Sequence, residues 1–104
     1  MLRIQSFALD TIGALAPVVR VVAGKDPDLA RQMRRAASSI VLNLAEGQAA
    51  LDGNSRLRFR SALGSTLETR AALELAAAWG YVERDAVMLD ALERIVATLR
   101  RLAR

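Results

Sequence analysis

The chain has 104 residues, 15 Lys and Arg against 11 Asp and Glu for a net charge of +4, and is 53% hydrophobic, which describes one domain, residues 1–104, large enough to bury a core. It contains neither cysteine nor histidine; disulfides, thiolate nucleophiles and the commonest general acid/base and metal ligand are excluded together, which argues against an enzyme and against any cofactor. No unbroken apolar run approaches ~18 residues and Met1-Leu2-Arg3-Ile4 lacks a signal-peptide pattern, so a cytoplasmic protein that crosses no membrane is expected.

The first predicted helix runs from about Ile4 to Ala23, where Ile4, Phe7, Ala8, Ile12, Leu15, Val19 and Val22 recur at helical spacing. Pro17 lies inside it and predicts a kink, since its ring crowds the carbonyl of Gly13 and removes one hydrogen bond. Gly24 is a candidate for a left-handed C-terminal turn. Asp26-Pro27-Asp28 then reads as a helix start: an N-cap, a proline at the first position and an acid at the positive end of the helix. The second helix follows from Pro27 to about Ala49, with Leu29, Met33, Ala36, Ala37, Ile40, Val41 and Leu44 as its apolar stripe.

Leu51-Asp52-Gly53-Asn54-Ser55 is a turn cluster in which Asn54 and Ser55 are cap candidates. The third helix is expected from about Ser55 to Trp79, on a face of Phe59, Leu63, Leu67, Ala71, Leu75 and Ala78. Gly80-Tyr81-Val82 breaks it, and acidic Glu83 and Asp85 open a fourth helix over about Glu83 to Leu102 with a Met88, Leu92, Ile95, Leu99, Leu102 seam. Nothing alternates with period two. Short connections make successive helices antiparallel neighbours, so the fold class is all-α, an up-down-up-down antiparallel four-helix bundle. The apolar content exceeds what four seams hide, which predicts a homo-oligomer.

Two polar patterns stand out. Arg35, Ser39, Asn43 and Glu46 follow one another beside the apolar stripe of the second helix, and Ser61, Ser65 and Glu68 repeat this on the third beside Gly64. We read Arg35, Ser39, Asn43, Glu46, Ser65 and Glu68 as an interhelix polar network, with Arg35, Asn43 and Glu46 expected to be largely buried; a ligand groove is the alternative. Arginine supplies 14 of the 15 basic residues. Arg31 and Arg34 cluster on the second helix, and Arg56, Arg58 and Arg60 crowd the start of the third, where the helix dipole disfavours cations. These five are the candidate nucleic-acid contacts. Arg100, Arg101 and Arg104 end the fourth helix, where the dipole favours them.

The run from Gln32 through Arg34-Arg35-Ala36-Ala37-Ser38-Ser39 to Asn43-Leu44-Ala45-Glu46-Gly47, followed by Arg58-Phe59, Ala62-Leu63-Gly64-Ser65, Glu68, Leu75 and Gly80-Tyr81, resembles the four-helix-bundle family named for proteins encoded in intervening sequences of bacterial 23S rRNA genes. The resemblance extends from about Pro27 to Leu102. It implies a four-helix bundle assembling into a ring, a pentamer. Through a related basic branch, the accessory proteins of diversity-generating retroelements, it implies RNA or DNA and a reverse transcriptase as partners. It carries no catalytic residues. Where many members are polar or basic after the Glu-Gly pair, this chain has Gln48-Ala49-Ala50-Leu51-Asp52. Two readings follow: an oligomer that binds nucleic acid through its arginine surface, and a protein-binding or structural scaffold. A small-ligand carrier has little support, because one Trp, one Tyr and no His offer few polar anchors.

Overall fold

Helix α1 spans Arg3–Ala23, α2 Pro27–Ala49, α3 Ser55–Ala78 and α4 Ala86–Leu102. The computed structural model describes residues 3–50 and 53–104, and no strand occurs among them. Leu51 and Asp52 of the second turn cluster, and Met1 and Leu2, lie outside the described residues. The helices pack in the order α1-α2-α3-α4-α1 around one core, each antiparallel to its sequence neighbour, in a body of 43 × 23 × 19 Å. Leu15, Met33, Ile40, Leu44, Leu73, Leu92, Ile95 and Leu99 fill the axis. Helices α1, α2 and α4 place one apolar stripe inward, as the 3.6-residue period dictates; α3 is rotated from its expected face, with Ala71, Leu75 and Ala78 exposed and Phe59, Ala62, Thr66, Thr69, Leu73 and Ala76 turned inward.

The seams differ. The α2–α3 interface is the most extensive and α1–α4 the least. Small side chains explain the first: Ala36, Ala62, Ala72 and Ala76 are buried, and Gly47 lies under the Phe59 ring. A Cβ on Gly47 would stand 2.5 Å from Phe59 Cε1. Ser55 Oγ donates to the Gly47 carbonyl at 2.8 Å, which fixes the start of α3 against the end of α2.

The helix ends follow their caps. Asp26 accepts from the Leu29 amide at 3.0 Å with Pro27 behind it. At α4 the cap is Asp85, which accepts from the Met88 amide; the helix therefore starts at Ala86 rather than near Glu83, and Asp85 stands outside its first turn. Gly24 does not take the left-handed turn expected of it. Helix α1 instead closes through bonds from Gly24 N to Val21 O and from Lys25 N and Asp26 N to Val22 O. Gly53, at φ +83°, and Gly80, at φ +79°, are left-handed, and of these Gly80 closes a helix. Gly80 N bonds Ala77 O and Tyr81 N bonds Ala76 O, the paired bonds that satisfy the last carbonyls of a helix. At α3 the N-cap residue Asn54 makes no side-chain cap bond, and Ser55 serves the α2–α3 turn instead.

Helix α1 departs from the sequence expectation in one respect. It is long and apolar enough, by mean hydropathy, to cross a membrane, because Asp10 and Arg20 interrupt its apolar run without much lowering the average. In the bundle its Ala8, Leu15, Val19 and Val22 are buried in the core, and the helix continues through Pro17.

Both the α1–α2 and α3–α4 connections lie at one end of the bundle, and a clasp joins them. Tyr81 donates its hydroxyl to Asp26 Oδ2 at 3.1 Å, while Lys25 Nζ donates to the Tyr81 carbonyl at 2.9 Å. Desolvation first, then the hydrogen bond to Asp26 and its negative charge, raise the Tyr81 pKa above its ordinary 10.0. A phenol whose folded value is raised contributes stability that is complete below the unfolded value. That contribution is lost as pH rises through the folded one. Tyr81→Phe should lower the melting temperature at neutral pH. The gap between wild type and variant should narrow above about pH 10; an unchanged gap across the alkaline range would exclude the clasp as its source.

Candidate nucleic-acid interface

The polar stripe divides in two. Ser39 Oγ accepts from Asn43 Nδ2 at 2.9 Å and from Ser65 Oγ at 2.8 Å, and Asn43 Nδ2 also donates to the Ser39 carbonyl at 2.9 Å. These three half-buried residues form a bridge across the α2–α3 seam. Arg35, Glu46 and Glu68 are exposed, which corrects the expected burial of Arg35 and Glu46. The reason is angular. On a helix of about 100° per residue, positions 39 and 43 sit at the edge of the core, whereas 35 and 46 fall farther round toward solvent. Glu46 instead pairs with Arg58 at 3.1 Å over the surface of the seam. Behind the bridge, the hydroxyls of Thr66 and Thr69 donate to the carbonyls of Ala62 and Ser65.

The five candidate arginines do not form one patch. Arg31 pairs with Asp28 within α2, Arg58 turns toward Glu46 on α2, and Arg60 Nε donates to the Ala103 carbonyl at the end of α4 at 3.2 Å. Arg56 is exposed with no ion pair among the described residues. Arg34 lies with Arg20 beside a cavity of about 150 Å³ between α1 and α2, whose apolar lining includes Ile12, Leu15 and Val19. The alternation thus sends Arg58 and Arg60 to different neighbours and leaves Arg56 facing solvent.

Along the bundle axis, however, charge is strongly sorted. One end is built from the α1 N-terminus, the α2 C-terminus, the α3 N-terminus and the α4 C-terminus. Among the described residues it carries Arg3, Arg56, Arg58, Arg60, Arg100, Arg101 and Arg104 against the single carboxylate Glu46. The opposite end carries Arg20, Lys25, Arg31 and Arg84 against Asp26, Asp28, Glu74, Glu83, Asp85 and Asp90. A modest net charge therefore conceals a cationic end. The sequence shows the runs but not that antiparallel packing stacks them together. Among the described residues, no group of three or more Asp, Glu, His or Cys converges where a metal ion could be held.

Comparison with known proteins agrees with this architecture. The family model of the 23S rRNA-intervening sequence protein matches residues 18–102. The chain belongs to that family. The crystal structure of a protein of unknown function from the S23 ribosomal protein family of Bacteroides thetaiotaomicron superposes on this intervening-sequence protein with a TM-score of 0.87. The match covers 97% of this chain and 98% of that one at 18% identity, a likeness that speaks for the fold. No curated protein matches the chain significantly. Neither the family nor the structural neighbour points to catalysis.

Within this intervening-sequence protein the Glu46-Gly47 pair has two separable roles. Glu46 makes an exposed ion pair, of the kind worth about 0–1 kcal/mol. Gly47 permits the contact with Phe59. Glu46→Ala should change stability by less than about 1 kcal/mol. Gly47→Ala gains helix propensity of roughly 1 kcal/mol, but overpacks a buried ring at a cost of about 1–3 kcal/mol. It should therefore melt several degrees lower, and Phe59→Leu in the same chain should recover part of the loss. Equal melting of Gly47→Ala and wild type would show that the ring yields without strain.

Proposed function

We propose that this intervening-sequence protein is a non-catalytic, cytoplasmic homo-oligomer that holds RNA or DNA on its arginine-rich end. The observation that carries the reading is the axial sorting of charge, with seven arginines and one carboxylate at one end among the described residues. Such an end attracts a polyanion through phosphate contacts and counterion release, without need of base-specific contacts. Arg3, Arg56, Arg100 and Arg104 are its exposed members with neither an ion pair nor a side-chain hydrogen bond among the described residues, and they come ahead of Arg31, Arg58 and Arg60 as the leading contacts.

Self-assembly has separate support. The outer face of α3 presents Leu57, Ser61, Gly64, Ala71, Leu75 and Trp79, all exposed, and Leu42 of α2 lies beside it. Trp79 is 65% and Leu42 61% exposed. Large apolar side chains among small residues suit close packing of a second copy, with exposed Glu68 on the same face. A closed ring, the pentamer the family resemblance suggests, would repeat the cationic end around one rim and multiply a weak contact. A scaffold that uses this face for another protein is the second reading.

Light scattering should return several times the 11.3 kDa chain mass, and Trp79→Glu should reduce it; a wild-type monomer would defeat the oligomer. Gel shifts with RNA and DNA should weaken steeply with salt. Changing Arg56, Arg100 and Arg104 together to Ala should flatten that dependence while the assembly persists. Absence of any shift at about 50 mM salt would transfer the function to the scaffold reading.

A further inference from the structure

The thin α1–α4 seam opens into a cleft of about 330 Å³ between Arg3, Ile4 and Phe7 on α1 and Arg94 and Thr98 on α4. We propose that this cleft binds the phosphate monoester of a nucleotide. No carboxylate lines it. The Arg94 guanidinium lies over the Phe7 ring, 4.6 Å from its centre, a cation–π contact that holds the fork in place. Arg101 Nη2 reaches Thr98 Oγ1 at 3.4 Å and adds a third guanidinium at the rim. Arg3 occupies the first turn of its helix, where the dipole disfavours a cation, and it makes no ion pair among the described residues.

Thr98 differs from the chain's other three threonines. Thr11, Thr66 and Thr69 each donate their hydroxyl to the carbonyl four residues back. Thr98 accepts from Arg101 and makes no such donation among the described residues, so its hydroxyl hydrogen is available to a ligand oxygen. Two guanidiniums in the lining, one at the rim and one hydroxyl offer donors without competing acceptors, a set that matches the oxygens and charge of a phosphate dianion. Ile4 and Phe7 add an apolar wall. A bare phosphate ion leaves Ile4 and the part of Phe7 that Arg94 does not cover in contact with water, whereas a nucleoside body attached to it covers them. The cleft volume falls in the range of small-molecule sites, roughly 300–1,000 Å³.

The cleft shares Arg3 and Arg101 with the cationic end, but its first test uses no strand, so its failure and that of strand binding are distinguishable. Calorimetric titration of the full chain with adenosine 5′-monophosphate should show saturable binding, with adenosine and inorganic phosphate each at least about tenfold weaker. Arg94→Gln should lose about tenfold in affinity or more, and Arg94→Lys should lose most of it, because the planar fork is gone. Should either variant melt below wild type through loss of the Phe7 contact, the exposed Arg3→Gln serves in its place. Arg84→Gln, at the far end, should bind as wild type does. Equal affinity for adenosine and its monophosphate, no binding of the monophosphate, or unchanged binding in both Arg94→Gln and Arg3→Gln would overturn the proposal. Competition then identifies the source of the phosphate. Displacement by a 5′-phosphorylated oligonucleotide but not by its 5′-hydroxyl counterpart assigns a strand end; displacement by neither assigns the free nucleotide.

Discussion

The distance between α2 and α3 governs the rest of the molecule. Gly47 can lie under the Phe59 ring only because it has no Cβ, and Ser39 and Ser65 can bond directly only because both are short. With these two helices held so closely, the exposed residues of both fall on one continuous outer face, and Leu42, Leu57, Leu75 and Trp79 are left without cover. Burying apolar area is worth roughly 25 cal/mol per Å². That makes the uncovered face a reservoir of association energy that the monomer leaves unused. The opposite seam, α1–α4, relies on longer side chains such as Phe7 and Arg94, and space remains between them.

Polar groups are accommodated locally. No buried side-chain nitrogen or oxygen lacks a partner among the described residues, and the deepest hydroxyls, Thr66 and Thr69, are satisfied within their own helix. Interhelix polar links sit mostly at the surface: Glu46 with Arg58, Gln5 with Gln48, and Arg70 with Glu93. Such links fix register more than they add stability. The exceptions are the part-buried bonds from Ser65 to Ser39 and from Ser55 to the Gly47 carbonyl, both between the two closest helices, and from Arg60 to the Ala103 carbonyl.

Fold class and helix count were legible because periodicity and short connections suffice for them. The boundaries of α2 were legible because Asp26, Pro27 and Asp28 each act within one turn. The Gly24 and Gly80 outcomes were not, since both glycines follow apolar helices and only the backbone decides which turns left-handed. At the α4 start, Glu83 and Asp85 are equivalent acids by sequence, and cap geometry chose Asp85. For the polar stripe, the i, i+4 spacing was read correctly as one edge of α2, but its rotation relative to α3 follows from packing, and this exposed Arg35 and Glu46. The arginine end and the α1–α4 cleft were beyond local reading altogether. Arg3 and Thr98 are separated by nearly the whole chain, and only the antiparallel return of α4 places them together.

The separation of charge along the axis also bears on how the two ends behave toward the surroundings. At physiological ionic strength the screening length is about 8 Å, several times shorter than the 43 Å long dimension. The ends therefore do not sense one another. In dilute salt, where screening reaches about 30 Å, the same molecule behaves as a dipole and turns its cationic end toward a polyanion before touching it. Ionic strength thus sets whether the protein meets a charged partner in a chosen orientation or in a random one.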